Sequence, residues 1–126
     1  MQLNPDCVRD LLLEVERTSS YTTGLYLDTN VENDLFKKYS WSEIIYHIKQ
    51  CNMANLITSA SVFETDGYAN VDDLTPDGHK FLSNIRSDDI WGKTKVIAKK
   101  IGSSSLDALT QVAGNVISTL ILSYFK

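Results

Sequence analysis

Two histidines and two cysteines are the side chains most suited to metal binding or nucleophilic chemistry: His47, His79, Cys7 and Cys51. The histidines stand far apart, and no His-x-x-Glu or Cys-x-x-Cys frame accompanies them. No Gly-x-Ser-x-Gly, phosphate-loop or zinc-peptidase motif occurs. The expectation is a protein that is not an enzyme, with no catalytic residue, no metal ligand and no cofactor. Cys7 and Cys51 each fall inside a predicted helix and read as buried free thiols. His79 follows Gly78 at a helix start, where a capping or core-edge hydrogen bond accounts for it.

The remaining polar chemistry suits recognition. A segment from Trp41 to Asn52 carries Ser42, Tyr46, His47, Lys49 and Gln50, whose donors and acceptors match those on base edges. Only Lys49 among them is a fixed cation. A second group, Arg86, Lys93, Lys95, Lys99 and Lys100, forms a basic patch suited to phosphate or an acidic partner, although an exposed lysine-rich helix face has the same composition. Trp91 next to that patch reads as a core anchor more readily than as an exposed partner contact.

The net charge of −4 argues against a protein that coats nucleic acid nonspecifically, because such proteins carry a large excess of Lys and Arg. Its distribution is segregated along the chain. Residues 1–36 are acidic, and Glu64, Asp66, Asp72, Asp73 and Asp77 follow one another with no intervening base, whereas residues 37–49 and 78–101 are basic. The length of 126 residues fits one core with an appended helix or arm, and a hydrophobic content of 43% fits a packed chain. The opening MQLNPDCVRD has no basic region followed by an apolar run, so the expected location is cytoplasmic.

Local signals place the elements that must carry these residues. Asn4-Pro5 is a helix start, since Asn caps an orphan N–H and Pro at the first position loses nothing; Val8, Leu11, Leu12 and Val15 then recur at helical spacing to Arg17. Residues 18–38 are dense in Ser, Thr, Asn and Asp and resolve only as loop with a short alternating Leu25-Tyr26-Leu27. Ser40-Trp41-Ser42-Glu43 is a capping box that opens a second helix, with Ile44, Ile45, Ile48, Cys51 and Met53 on its inner side and Glu43, Tyr46, His47, Lys49, Gln50 and Asn52 outward. That helix ends near Ala54-Asn55, where Asn can adopt the left-handed conformation of a helix terminus. Leu56 to Glu64 alternates as a strand, Asp66-Gly67 offers a hairpin turn, and Tyr68 to Val71 returns.

Thr75-Pro76 caps the next helix, whose apolar stripe is Phe81, Leu82 and Ile85. Ser87-Asp88-Asp89 starts another with Ile90, Trp91, Thr94, Ile97, Ala98 and Ile101, up to Gly102. The last segment repeats Leu106, Leu109, Ala113, Val116, Ile117, Leu120, Ile121 and Tyr124, with no charge between Asp107 and Lys126. Its Thr, Gln, Gly, Asn and Ser residues make it polar for a membrane span, so no span is expected. A packing or dimer-forming helix is expected, with Leu109, Val116, Leu120 and Tyr124 at the contact.

The pattern Tyr46-His47-Ile48, Leu56-Ile57, a hairpin, then Leu74-Thr75-Pro76-Asp77-Gly78-His79-Lys80-Phe81-Leu82-Ser83-Asn84-Ile85-Arg86 and Trp91-Gly92-Lys93-Thr94-Lys95 resembles domain of unknown function family 2513, small bacterial and prophage proteins. At the hairpin the chain is also similar to winged-helix regulators, whose wing runs into an L-T-x-x-G helix start. The resemblance spans nearly the whole chain and implies a fold; it carries no activity to particular residues. The expected class is therefore α+β and mostly helical, a winged helix over residues 1–87 and amphipathic C-terminal helices over 88–126. Two departures stand out: Val31 to Tyr39 leaves room for little more than two turns before the recognition helix, and that helix ends on Ala54-Asn55 where winged-helix regulators often have Gly. The hairpin is also acidic where other winged helices place Arg and Lys.

The expected function is duplex-DNA binding by a phage- or prophage-type transcriptional regulator, acting as a homodimer. The alternative is a winged-helix adaptor that binds a protein and no nucleic acid, which fits the net charge better.

Overall fold

The computed structural model describes residues 1–103 and 105–125. It is α+β, with six helices among the described residues and two small antiparallel sheets. The chain divides into two compact units, residues 1–79 and 80–126.

In the first unit, helix α1 spans Pro5–Thr18, and the Asn4 side chain accepts from the N–H groups of Asp6 and Cys7 as the Asn-Pro signal requires. The segment that the sequence left unresolved contains strand β1 (Leu25–Asp28) and a short helix α2 (Asp34–Lys38), capped by Asn33. Helix α3 (Trp41–Met53) opens with a complete capping box, Ser40 and Glu43 each serving the other's backbone N–H. It ends on Asn55 at φ +60°, with the Leu56 N–H returning to the Cys51 carbonyl at 2.9 Å.

The predicted strand from Leu56 to Glu64 is broken. Ser59 takes φ +50°, which splits it into β2 (Ile57–Thr58) and β3 (Ser61–Phe63). The return is split likewise into β4 (Tyr68–Val71) and β5 (Asp73–Leu74). Strands β1, β4 and β3 form one sheet in that order, and β2 pairs with β5. Period-two alternation explains why the larger sheet has two faces. Leu25, Leu27, Ala69 and Val71 are buried with Val8, Leu11, Leu12 and Val15 of α1 and Ile44 and Ile48 of α3. Burying each large aliphatic chain contributes about 1.5 to 3 kcal/mol. Tyr26 and Phe63 point the other way and are exposed.

Helix α4 (Pro76–Ile85) crosses from the first unit into the second. At its start the Thr75 hydroxyl accepts from Gly78 N–H at 2.9 Å and donates to the Asn55 carbonyl at 2.6 Å. In the second unit, Phe81, Leu82 and Ile85 are buried as expected. Helix α5 (Asp88–Ile101) is capped by Ser87 and closed by Gly102 in the left-handed conformation. Helix α6 (Leu106–Ser123) packs on α5, and its buried residues, Leu106, Leu109, Val112 and Ala113, lie in its first half, whereas Ile121 and Leu122 near its end and Tyr124 and Phe125 after it are exposed.

Candidate functional site

Helix α3 and the hairpin between β3 and β4 meet at two points. The Trp41 indole N–H donates to the Glu64 carbonyl at 3.2 Å, and the Lys49 ammonium lies 3.9 Å from the Glu64 carboxylate. Phe36 of α2 packs against the Trp41 ring with centroids 6.1 Å apart. Trp41 thereby joins α2, α3 and the hairpin into one surface. The sequence expectation had assigned Trp41 only to the start of the helix.

Of the five residues expected on the outward face, Ser42 and Lys49 are exposed and Tyr46 and Gln50 are half-buried. His47 is a correction, because it is fully buried. Its Nδ1–H donates to the Glu43 carbonyl at 2.7 Å, and its Nε2 accepts from the Asn4 N–H at 2.8 Å. The neutral Nδ1–H tautomer satisfies both bonds; the doubly protonated ring has no acceptor left for Asn4. His47 is thus a buried polar link between the start of α1 and α3, and it is not available to a ligand. Met53, assigned inward, is instead exposed beside Asn52 at the end of α3.

No group of three or more His, Cys, Asp or Glu able to hold a metal exists among the described residues. His79 is exposed, its Nε2 lying 4.0 Å from Asp73. Burial pushes the thiols of both Cys7 and Cys51 up to about 12, so both are protonated and weakly nucleophilic at neutral pH. Neither behaves as an activated cysteine.

The expected basic patch is distributed along α5 with Arg86 before it. Lys93 lies 3.4 Å from Asp89, one turn back, and Lys95 sits 5.5 Å from the Trp91 ring centroid. Lys99 and Lys100 occupy the last turn, where the helix dipole favours cations. Helical periodicity puts Lys93 and Lys100 on one flank and Lys95 and Lys99 on the other, with exposed Val96 between them. Trp91 is buried.

Of the expected dimer residues, Leu109 is a second correction: it is fully buried within α6's first half, so it has no surface to offer another chain. Val116 and Leu120 are half-buried and Tyr124 is exposed. With Val96, Ile97 and Ile101 of α5, Val116 and Leu120 line an apolar groove of about 700 Å³. Helix α6 is also the one helix among the described residues long and apolar enough to cross a membrane, and only 22% of it is buried.

A feature that the sequence expectation missed is the outer face of the larger sheet. Tyr26, Tyr68 and Phe63, one from each strand, form an aromatic row, with Phe63 stacked on Tyr68 at 4.6 Å and Tyr26 6.2 Å from Tyr68. The Tyr26 hydroxyl donates to Asp28 at 3.4 Å, and Asp28 pairs across the sheet with Tyr68. The alternation of Leu25, Tyr26, Leu27 and Asp28 was the available signal.

A protein of Haemophilus influenzae described as uncharacterized is 31% identical over 129 residues, covering 96% of this chain and 99% of the relative. No solved structure matches the chain. The family model described as "Hypothetical protein (DUF2513)" matches residues 2–105, which takes in α1, the hairpin, α4 and α5. The chain belongs to the DUF2513 family.

Proposed function

We propose that the chain is a cytoplasmic winged-helix protein that binds duplex DNA as a homodimer, in the manner of a phage- or prophage-type transcriptional regulator. The observation that carries this reading is the order α1, β1, α2, α3, hairpin, with β1 paired beside the hairpin and α3 presenting Ser42, Tyr46, Lys49 and Gln50 outward. In a winged helix the helix before the hairpin enters the major groove. The exposed apolar end of α6 and the groove beside it supply the dimer contact, and a two-fold dimer doubles contacts that are weak in one copy.

The test is fluorescence anisotropy with duplex DNA at low and moderate salt. Binding that weakens with salt and weakens further in Lys49→Glu supports the reading. No binding at low salt, even at high protein concentration, overturns it.

One observation favours a second reading, a winged-helix adaptor that binds protein and no nucleic acid. Glu64 stands 3.9 Å from Lys49, so the one fixed cation of the α3 face is already partly neutralised. Affinity capture from the native host, followed by identification of both nucleic acid and protein, separates the two.

A further inference from the structure

We propose that the outer face of the β1-β4-β3 sheet binds an extended, arginine-containing peptide of a partner protein. This goes beyond both functional readings, because it concerns the sheet and not the outward side of α3.

The register places two rows on this face: Tyr26, Asn70 and Ser61, then Asp28, Tyr68 and Phe63. It carries three rings, one carboxylate and no Lys or Arg. Soluble chains bury such rings when they can, yet Tyr26 is 56% and Phe63 is 42% exposed. The nearby turn adds the exposed acids Glu64 and Asp66, and Lys49, the base that reaches the hairpin, is engaged by Glu64. The charge complement of this surface is a cation.

Aromatic faces beside a carboxylate select guanidinium in particular, which stacks flat on a ring while its N–H fork reaches an oxygen pair. Asp28 is placed for that, since Tyr26 and the Asn30 N–H already orient its carboxylate. The centroids of Tyr26 and Tyr68 are 6.2 Å apart. Alternate side chains of an extended strand repeat at about 6.6 Å, so arginines two residues apart can meet one ring each. A single-stranded nucleic acid also stacks on rings, but its phosphates would face Asp28, Glu64 and Asp66 with no cation on the sheet face to meet them.

The test is anisotropy with a labelled peptide of alternating arginine and serine, its lysine counterpart, and a labelled single-stranded RNA. The arginine peptide should bind more tightly than the lysine peptide. Phe63→Ala and Tyr26→Ala should each weaken it about threefold to fivefold, and Phe63→Tyr should retain it. Asp28→Asn should weaken it more than Asp77→Asn, which removes the same charge from α4. Circular dichroism reports that each variant is folded, and Lys49→Glu, which frees Glu64, should not weaken peptide binding whatever it does to DNA. Equal losses in Phe63→Ala, Asp28→Asn and Asp77→Asn would reduce the binding to net charge and overturn the proposal. So would an absence of peptide binding, or RNA binding that Phe63→Ala abolishes.

Discussion

Gly78 is where the hairpin hands over to α4, and Gly78→Ala tests that junction. A Cβ built there would sit 2.0 Å from the Leu56 carbonyl oxygen and 3.0 Å from its carbon. The obstacle is backbone and cannot rotate away. Restoring ordinary contact requires a shift of more than an ångström, at the place where the same carbonyl accepts from Thr75 N–H at 3.0 Å and Thr75 donates to Asn55 at 2.6 Å. Overpacking costs about 1 to 3 kcal/mol, and each of the two stretched hydrogen bonds adds about 1. Helix propensity offsets about 1 kcal/mol of this, because alanine is the better helix former. The net expectation is a loss of about 2 to 4 kcal/mol, read as a lower urea midpoint by circular dichroism at unchanged slope. Gly92→Ala and Gly114→Ala are the controls: both sit inside helices with nothing within 4 Å of the added carbon. Each should be neutral or stabilise by up to about 1 kcal/mol. If Gly78→Ala matches those controls, the close approach to Leu56 does not govern the junction.

Three further outcomes follow from the same geometry. His47→Ala should destabilise by about 2 to 4 kcal/mol in urea melts, since it opens a hole and strands the Asn4 N–H; wild-type stability would mean the link from α1 to α3 is dispensable. Cys7 and Cys51 move from an ordinary 9.0 to about 12 on folding, so the folded chain holds those protons more tightly. That contribution is complete below pH 9 and is lost as pH rises toward 12; melts of Cys7→Ala and Cys51→Ala should show a shallower alkaline decline, and an unchanged decline would remove the thiols as its cause. If the proposed homodimer forms through α6, Leu122→Lys with Ile121→Lys should leave the α5 and α6 packing intact and give a monomer by light scattering, whereas a persisting dimer would place the contact elsewhere.

The helix starts were legible because each is written in adjacent residues. Asn4, Ser40 with Glu43, Thr75 and Ser87 all make the cap that their local pattern announces. What was hidden depends on partners distant in the chain. His47 has the polarity of an outward residue, and only the Asn4 N–H, brought to it by the packing of α1 on α3, makes its burial tolerable. Met53, Ile97 and Ile101 keep a helical period yet end exposed, since periodicity identifies a face and does not say how far a neighbour extends along it. The same limit hid the difference between the two halves of α6, and with it the burial of Leu109. Pairing of β1 with β4 is equally nonlocal, so the row of Tyr26, Tyr68 and Phe63 exists only once the sheet is formed.

Glu64→Gln separates the two functional readings most sharply. The pair with Lys49 is 3.9 Å long, and both side chains are more than half exposed, at 55% and 63%. Exposed pairs of this kind contribute about 0 to 1 kcal/mol, so the substitution should leave the urea midpoint nearly unchanged. The Trp41 contact is to the Glu64 backbone carbonyl, so Gln keeps that as well. What changes is the field in front of α3, where Lys49 becomes free to meet a phosphate and one repelling charge disappears. If α3 enters a major groove, duplex affinity should rise, and the dependence of log K on log salt should steepen by about 0.9 for each further phosphate that a copy neutralises. The double variant with Lys49→Glu should lose that rise. If Glu64→Gln leaves duplex affinity and its salt slope where they were, while the fold is intact, Lys49 does not face DNA and the protein-binding reading of α3 stands in its place.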